Sequence, residues 1–142
     1  MILILHILFC GIWVGCILTE ALFERALLGS GRENHKLLSD LHKEVDLLIE
    51  IPAFIGVIFT GIYLLLSSPI SALLIAKIMF GAIAVFANIY CVKLVLDRVR
   101  FATASEWDRF DSADHMQHKI GAVVLVGVLT AASIGIYLAS IA

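Results

Sequence analysis

Four long apolar segments dominate this sequence, and they decide what the chain can fold into. They run from Met1 to about Leu28, from Val45 to Leu66, from about Ile70 to Leu96 and from about Lys119 to Ala142. A helix needs about 20 mostly apolar residues to cross the hydrocarbon core of a bilayer, and each segment reaches that length. The sequence therefore predicts an all-α integral membrane protein, a four-helix bundle forming a single transmembrane domain over residues 1–142.

The connections and the composition fit the same class. The turn at 67–69 contains a proline, which cannot continue the preceding helix. The polar stretches 29–44 and 97–118 are expected to extend helices 2 to 4 beyond the bilayer. Only 15% of the residues are charged, where soluble domains have about 25%. The net charge of −2 argues against nucleic acid as a partner, so the expected partner is the lipid bilayer.

Basic residues indicate the orientation of the bundle. One end of the predicted bundle carries Arg25, Arg32, Lys36, Lys43, Lys93, Arg98, Arg100, Arg109 and Lys119. The other end, with both termini and the 67–69 turn, carries none. The positive-inside rule then predicts cytoplasmic loops at 29–44 and 97–118 and both termini on the non-cytoplasmic side of a bacterial-type inner membrane. The first segment lacks a basic leader and is too long for a signal peptide.

Ionisable residues inside the segments are the strongest functional signal, because a charge in a membrane span is costly and normally faces a partner within the bundle. His6 and Lys77 lie at similar depths near the outer ends of helices 1 and 3. A second, inner group is richer in carboxylates and imidazoles. Its members, with spacings of three and four that put them on shared helix faces, are Glu20, Glu24, His42, Asp46, Glu50, Asn88, His115 and His118.

The inner group predicts a metal or haem site. Imidazole and carboxylate together ligate iron, zinc, manganese or copper, and helical bundles build such sites from facing helices. The predicted metal ligands are Glu20, Glu24, His42, Asp46, Glu50, His115 and His118. His42 and His118 would serve equally as axial ligands of haem b. A buried ion-pair network that only stabilises the bundle is the remaining alternative.

A family resemblance rests on short motifs in the first three helices. The matching residues are Leu5-His6-Ile7, Trp13, Gly15, Pro52-Ala53, Gly61 and Lys77. In this layout the chain resembles the small membrane protoporphyrinogen oxidases of the HemJ type and the related CopD copper-resistance domains. The resemblance implies a compact bundle, bound b-type haem and redox chemistry on a porphyrinogen, with His6 and Lys77 as cofactor-binding positions. The chain departs from the HemJ pattern at Asn88, where that pattern has a histidine.

Three functional hypotheses follow. The first is a membrane-embedded redox protein that binds haem b or a His/carboxylate metal centre, with a quinone or porphyrin as its partner; the resemblance implies an oxidoreductase of the HemJ-like type. The second is a transition-metal transport or resistance protein of the copper type. The third is a non-catalytic accessory membrane subunit. Small residues in helices 2 to 4 let helices approach closely and allow a homodimer.

Overall fold

The structure, a computed structural model, describes residues 1–27 and 29–141. The helices are α1 (Ile2–Leu27), α2 (Arg32–Val45), a π-helical turn (Asp46–Glu50), α3 (Ile51–Leu66), α4 (Ala72–Thr103) and α5 (Trp107–Ser140). No β-strand occurs in these described ranges. The segments α2, π-turn and α3 form one continuous helix, so four long helices make up the fold. The predicted all-α class with four helices is confirmed.

At the polar end, the helices run beyond the apolar segments. The predicted ends at Leu28 and Ala142 lie outside the described residues. Helix α4 continues to Thr103 and α5 begins at Trp107, so the polar stretch 97–118 is largely helical. Only three residues separate the two helices, and Ser105 among them has a φ of 57°. Polar side chains do not stop a helix, and these helices end where the chain must turn.

One apolar core joins all four helices. Trp13 packs against Phe54, with 5.9 Å between the ring centroids, and Ala84, Val124 and Val128 complete the contact from α4 and α5. The crossing of α4 and α5 is close, because an ideal Cβ on Gly127 would lie 3.0 Å from the Ala84 Cβ. Small residues at a crossing allow this approach between membrane helices.

Large apolar side chains cover the outer surface. Among them, Ile4 is 71% exposed, Phe59 71% and Phe86 72%. A soluble protein rarely exposes continuous apolar surface on every helix, whereas a lipid-facing bundle does so by necessity. All four helices are long and apolar enough to cross a membrane. The fold is that of a multi-pass membrane protein.

The π-turn in the second helix brings two carboxylates to the core. The buried positions of this helix recur every fourth residue, at Leu38, His42, Asp46, Glu50 and Phe54. In an ideal α-helix such a series drifts by about 40° per step, so it would leave the core face. The wider turn takes up this drift: the Ile51 N–H bonds to the Asp46 carbonyl, five residues back. Pro52, which has no N–H to donate, follows directly.

Candidate metal centre

Three carboxylates from two helices converge next to the apolar core. Glu20 lies on α1, and Asp46 and Glu50 lie on the π-turn; one oxygen from each falls within 4.8 Å of the other two. We call these three residues the carboxylate triad. Asp46 is 3% exposed and Glu50 2%. The Trp13 indole N–H donates to Glu50 Oε1 at 3.1 Å, which leaves most of the acceptor capacity of the triad unused.

The triad differs from the neighbouring Arg98 network because, within the described residues, no lysine or arginine forms an ion pair with its carboxylates, whereas Glu24 and Asp114 both pair with Arg98. Glu20 Oε1, Asp46 Oδ2 and Glu50 Oε2 are all buried without a hydrogen-bond partner. Such groups carry a large desolvation cost, and three negative charges at this distance repel one another. The arrangement therefore requires a bound cation, shared protons, or both. Carboxylate oxygens are ligands for hard and borderline metal ions, so the triad has the donor set to hold one.

A cavity between the helices gives the triad room for an ion. Its volume is about 180 Å³, and its lining includes the whole triad and Asn88 of α4. Asn88 is 2% exposed, and its side-chain nitrogen has no hydrogen-bond partner. Because an amide also offers a carbonyl oxygen, Asn88 adds a potential oxygen ligand from a third helix. The cavity is large enough for an ion with a few water molecules, each of which occupies about 30 Å³.

A buried arginine organises the polar groups on the loop side of the triad. Arg98 of α4 is 0% exposed. Its Nη1 donates to Glu24 Oε1 and to Gln117 Oε1, both at 2.8 Å, and its Nη2 lies 2.8 Å from Asp114 Oδ1. The guanidinium also stacks over Phe110, 5.1 Å from the ring centroid. Arg98 thus balances two carboxylates that would otherwise be buried and unpaired.

His42 lies between this network and the triad. Its Nδ1 accepts from Gln117 Nε2 at 3.1 Å, so the ring proton belongs on Nε2, an assignment that follows from the neighbours. Nε2 lies 3.4 Å from the Glu20 backbone carbonyl and 3.5 Å from Glu24 Oε1. The side chain is 2% exposed. Burial of the ring, and then the positive charge of Arg98, whose Nη1 lies 3.5 Å from Nδ1, both disfavour a charged His42.

His118 and His115 lie differently although they are three residues apart. The His118 side chain is 43% exposed, with Nε2 3.6 Å from Glu24 Oε2, and its Nδ1 donates to the Asp114 carbonyl at 2.8 Å. Glu24, Asp114 and His118 form a second group whose ligand atoms lie within 4.8 Å. His115 is exposed and is brought to neither carboxylate group.

The two residues of the predicted outer site, His6 and Lys77, have separate partners. His6 is 9% exposed, and its Nδ1 lies 2.8 Å from Thr60 Oγ1. Since Thr60 donates to the Gly56 carbonyl at 2.6 Å, His6 is the donor to Thr60. Lys77 lies across Gly135 of α5, with Nζ 3.2 Å from an ideal Cβ there. Within the described ranges, no hydrogen bond or ion pair joins His6 to Lys77.

Sequence reasoning did not select Arg98, Gln117 or Asp114 as site residues. Arg98 was counted only for its charge, yet it continues the face of Asn88 at helical spacing through Cys91 and Val95. This helical spacing from Asn88 is the sequence signal that identifies Arg98 as a site residue. On α5, Gln117 is buried and His118, the next residue, is not. Successive residues of a helix point about 100° apart, so the two side chains face different directions. Because histidine is a common metal ligand and glutamine is not, the sequence indicates His118 rather than the buried Gln117.

The fold and this site define a class: a multi-pass helical membrane protein with ionisable groups gathered between its helices. No protein-family model matches the chain, and comparisons with curated proteins and with solved structures found no match. The resemblance to the HemJ and CopD families therefore stays a sequence-based expectation, and function must be inferred from the site itself.

Proposed function

We propose that this chain is a membrane-embedded redox protein whose carboxylate triad, Glu20, Asp46 and Glu50, binds a transition-metal ion. The observation that carries the proposal is the unpartnered, buried oxygen on each of the three side chains, together with the lack of any lysine or arginine ion pair to them within the described residues. A metal ion satisfies all three at once and offsets their mutual repulsion. Burial in an apolar bundle also strengthens the attraction between the ion and its ligands.

The ligand types favour manganese or iron among the four predicted metals. The triad supplies only oxygen atoms, and carboxylate and carbonyl oxygens suit manganese better than copper. Iron also takes carboxylate ligands in helical bundles; His42 lines the same cavity, with both ring nitrogens facing protein groups. Both metals change oxidation state readily, which supports redox chemistry. Copper prefers thiolate and thioether ligands, and among the residues that line the cavity only Cys91 offers sulfur. The ligand set therefore favours copper less than manganese or iron.

Haem b, the alternative cofactor, has less support from the geometry. Pockets for ligands of drug size measure about 300–1,000 Å³, whereas this cavity measures about 180 Å³. The ring nitrogens of His42 and His118 face protein groups. The resemblance to HemJ proteins favours His6 and Lys77 as haem-binding positions, but His6 is held by Thr60. Haem ligation by these histidines would require them to give up their present partners, whereas an ion bound to the triad would not.

The location and the partners belong to the same proposal. The basic residues at one end support a bacterial-type inner membrane with loops 29–44 and 97–118 in the cytoplasm and both termini outside. The redox partner in such a membrane would be a quinone or a porphyrin. A homodimer is supported by Gly11 and Gly15, which are exposed on α1 with open space beside them and have the spacing of close-packed membrane helices.

An absorption spectrum combined with metal analysis tests the proposal. Detergent-purified protein would be measured air-oxidised and dithionite-reduced, and metals would be quantified in the same sample. The proposal expects about one iron or manganese ion per chain and no Soret band. A Soret band stoichiometric with protein would show that the cofactor is haem b rather than a metal ion. A sample that contains neither cofactor would support the accessory-subunit alternative. Metal uptake into vesicles would indicate a transporter.

A further inference from the structure

The second group of possible ligands, Glu24, Asp114 and His118, differs from the triad in its charge balance, because a protein cation already lies in it. Glu24, Asp114 and His118 bring three ligand atoms within 4.8 Å, as the triad does. The Arg98 guanidinium, however, lies 2.8 Å from a carboxylate oxygen of Glu24 and 2.8 Å from one of Asp114. The two groups are close neighbours, since Glu24 and His118 line the same cavity as the triad.

We propose that Arg98 is a built-in cation that fills a second metal position, formed by Glu24, Asp114 and His118, so that a divalent transition-metal ion binds there only when the guanidinium is removed. The ion count of the unmodified chain rests on the proposed function. The opening of the second position does not, because it depends only on these four side chains.

Steric and electrostatic reasons make arginine and metal mutually exclusive at this position. A metal ion within about 2.0–2.2 Å of the same oxygens would overlap the guanidinium and repel its charge. Arg98 cannot simply swing away, because it is 0% exposed and is also held by Gln117 and the Phe110 ring. Two carboxylates and one imidazole are a suitable ligand set for zinc, manganese or iron.

The position retains binding capacity beyond its contacts with Arg98. Glu24 Oε2 is buried and has no hydrogen-bond partner, and Glu24 as a whole is 9% exposed. His118 Nε2 lies 3.6 Å from this oxygen. Removing Arg98 would leave Glu24 and Asp114 without their counter-charge, and a divalent ion would compensate both. Metal binding to the variant should therefore also stabilise its fold.

The test is a Mn²⁺ titration of full-length protein, stripped of metal with a chelator and followed by electron paramagnetic resonance. The key variant is Arg98→Met, which removes the charge and keeps an unbranched side chain. Arg100→Met is the matched control, because Arg100 is exposed on the same helix. We expect about one Mn²⁺ per chain for the unmodified protein, Arg98→Lys and Arg100→Met, and about two for Arg98→Met. Adding Glu24→Gln to Arg98→Met should return the count to about one.

Failure of this inference is distinguishable from failure of the proposed function. No ion in the unmodified chain but one in Arg98→Met would reject the metal-bound triad and support the role of Arg98. An unchanged count in Arg98→Met, or two ions in the unmodified protein, would overturn the inference. If Arg98→Met does not fold, Arg98→Gln replaces it, since the amide can still donate to Glu24. Mn²⁺ must then raise the melting temperature of Arg98→Gln more than that of Arg100→Met.

Discussion

At the scale of single residues, the buried carboxylates differ in how their negative charge is satisfied. Glu24 and Asp114 are paired with Arg98, as expected for a stabilising ion-pair network. Glu50, at 2% exposure, receives one neutral N–H from Trp13, and within the described ranges no lysine or arginine forms an ion pair with it. This contrast between two neighbouring acidic groups is why we assign the exogenous cation to the triad.

Trp13 is expected to stabilise the fold through its bond to Glu50. Trp13→Phe keeps an aromatic ring in the core but removes the N–H donor, which leaves Glu50 Oε1 unpartnered. A buried acceptor left without its partner costs about 1–3 kcal/mol, so a loss of about 2 kcal/mol is expected. The measurement is the free energy of unfolding, by SDS titration in mixed micelles with a chelator present.

Trp107→Phe is the control for this measurement. Trp107 packs edge-on against Phe110, and in the part of the chain that the structure describes its indole N–H has no hydrogen-bonded carboxylate. A loss below about 1 kcal/mol is expected there. Equal losses for the two variants would show that packing, rather than the bond to Glu50, accounts for the effect.

At the scale of helices, the polar faces were predictable in part. On helix 1, His6, Trp13 and Glu24 recur at intervals close to whole helical turns, and all three are buried. The π-turn was not predicted, although the four-residue repeat from His42 to Glu50 indicates it once the drift of an α-helix is considered. The sequence did not predict which face of α5 points into the bundle. The choice between Gln117 and His118 depends on how α5 packs against α4, and sequence periodicity does not determine that packing.

Gly127 is expected to determine how closely α4 and α5 pack. An ideal Cβ at this position lies 3.0 Å from the Ala84 Cβ and 3.1 Å from the Phe80 carbonyl oxygen. Gly127→Ala should therefore force the helices apart and cost about 1–3 kcal/mol in the same SDS titration. Gly81→Ala is the control, since nothing lies within 4 Å of its ideal Cβ. Equal stability of the two variants would argue against this close crossing.

At the scale of the whole molecule, the number and approximate positions of the helices could be predicted because the bilayer imposes the length of each span. The lateral arrangement could not, because lipid-facing and helix-facing positions are both apolar. Buried charges such as Glu50 narrowed the candidate site, since their cost in a span demands a partner. Which carboxylate pairs with Arg98 and which remains unpaired depends on distances that only the folded chain defines.

The proposed sidedness makes a labelling prediction. Ser68 lies exposed in the turn between α3 and α4, and Ser112 is exposed near the start of α5. A membrane-impermeant maleimide added to intact spheroplasts should label Ser68→Cys and leave Ser112→Cys unlabelled until the membrane is opened. The unmodified chain, with Cys10, Cys16 and Cys91, gives the background. Labelling of Ser112→Cys alone would reverse the proposed topology.

Metal content of the triad variants tests the central proposal most directly. Glu50→Gln removes one carboxylate with little change in size, and Glu44→Gln makes the same change at an exposed position on the same helix, where the Glu44 side chain is 62% exposed. The proposal predicts about one iron or manganese ion per chain in the unmodified protein and in Glu44→Gln, and a loss of about 10-fold or more in metal affinity for Glu50→Gln. Equal metal content in all three proteins, or none in any, would contradict a metal centre at the carboxylate triad.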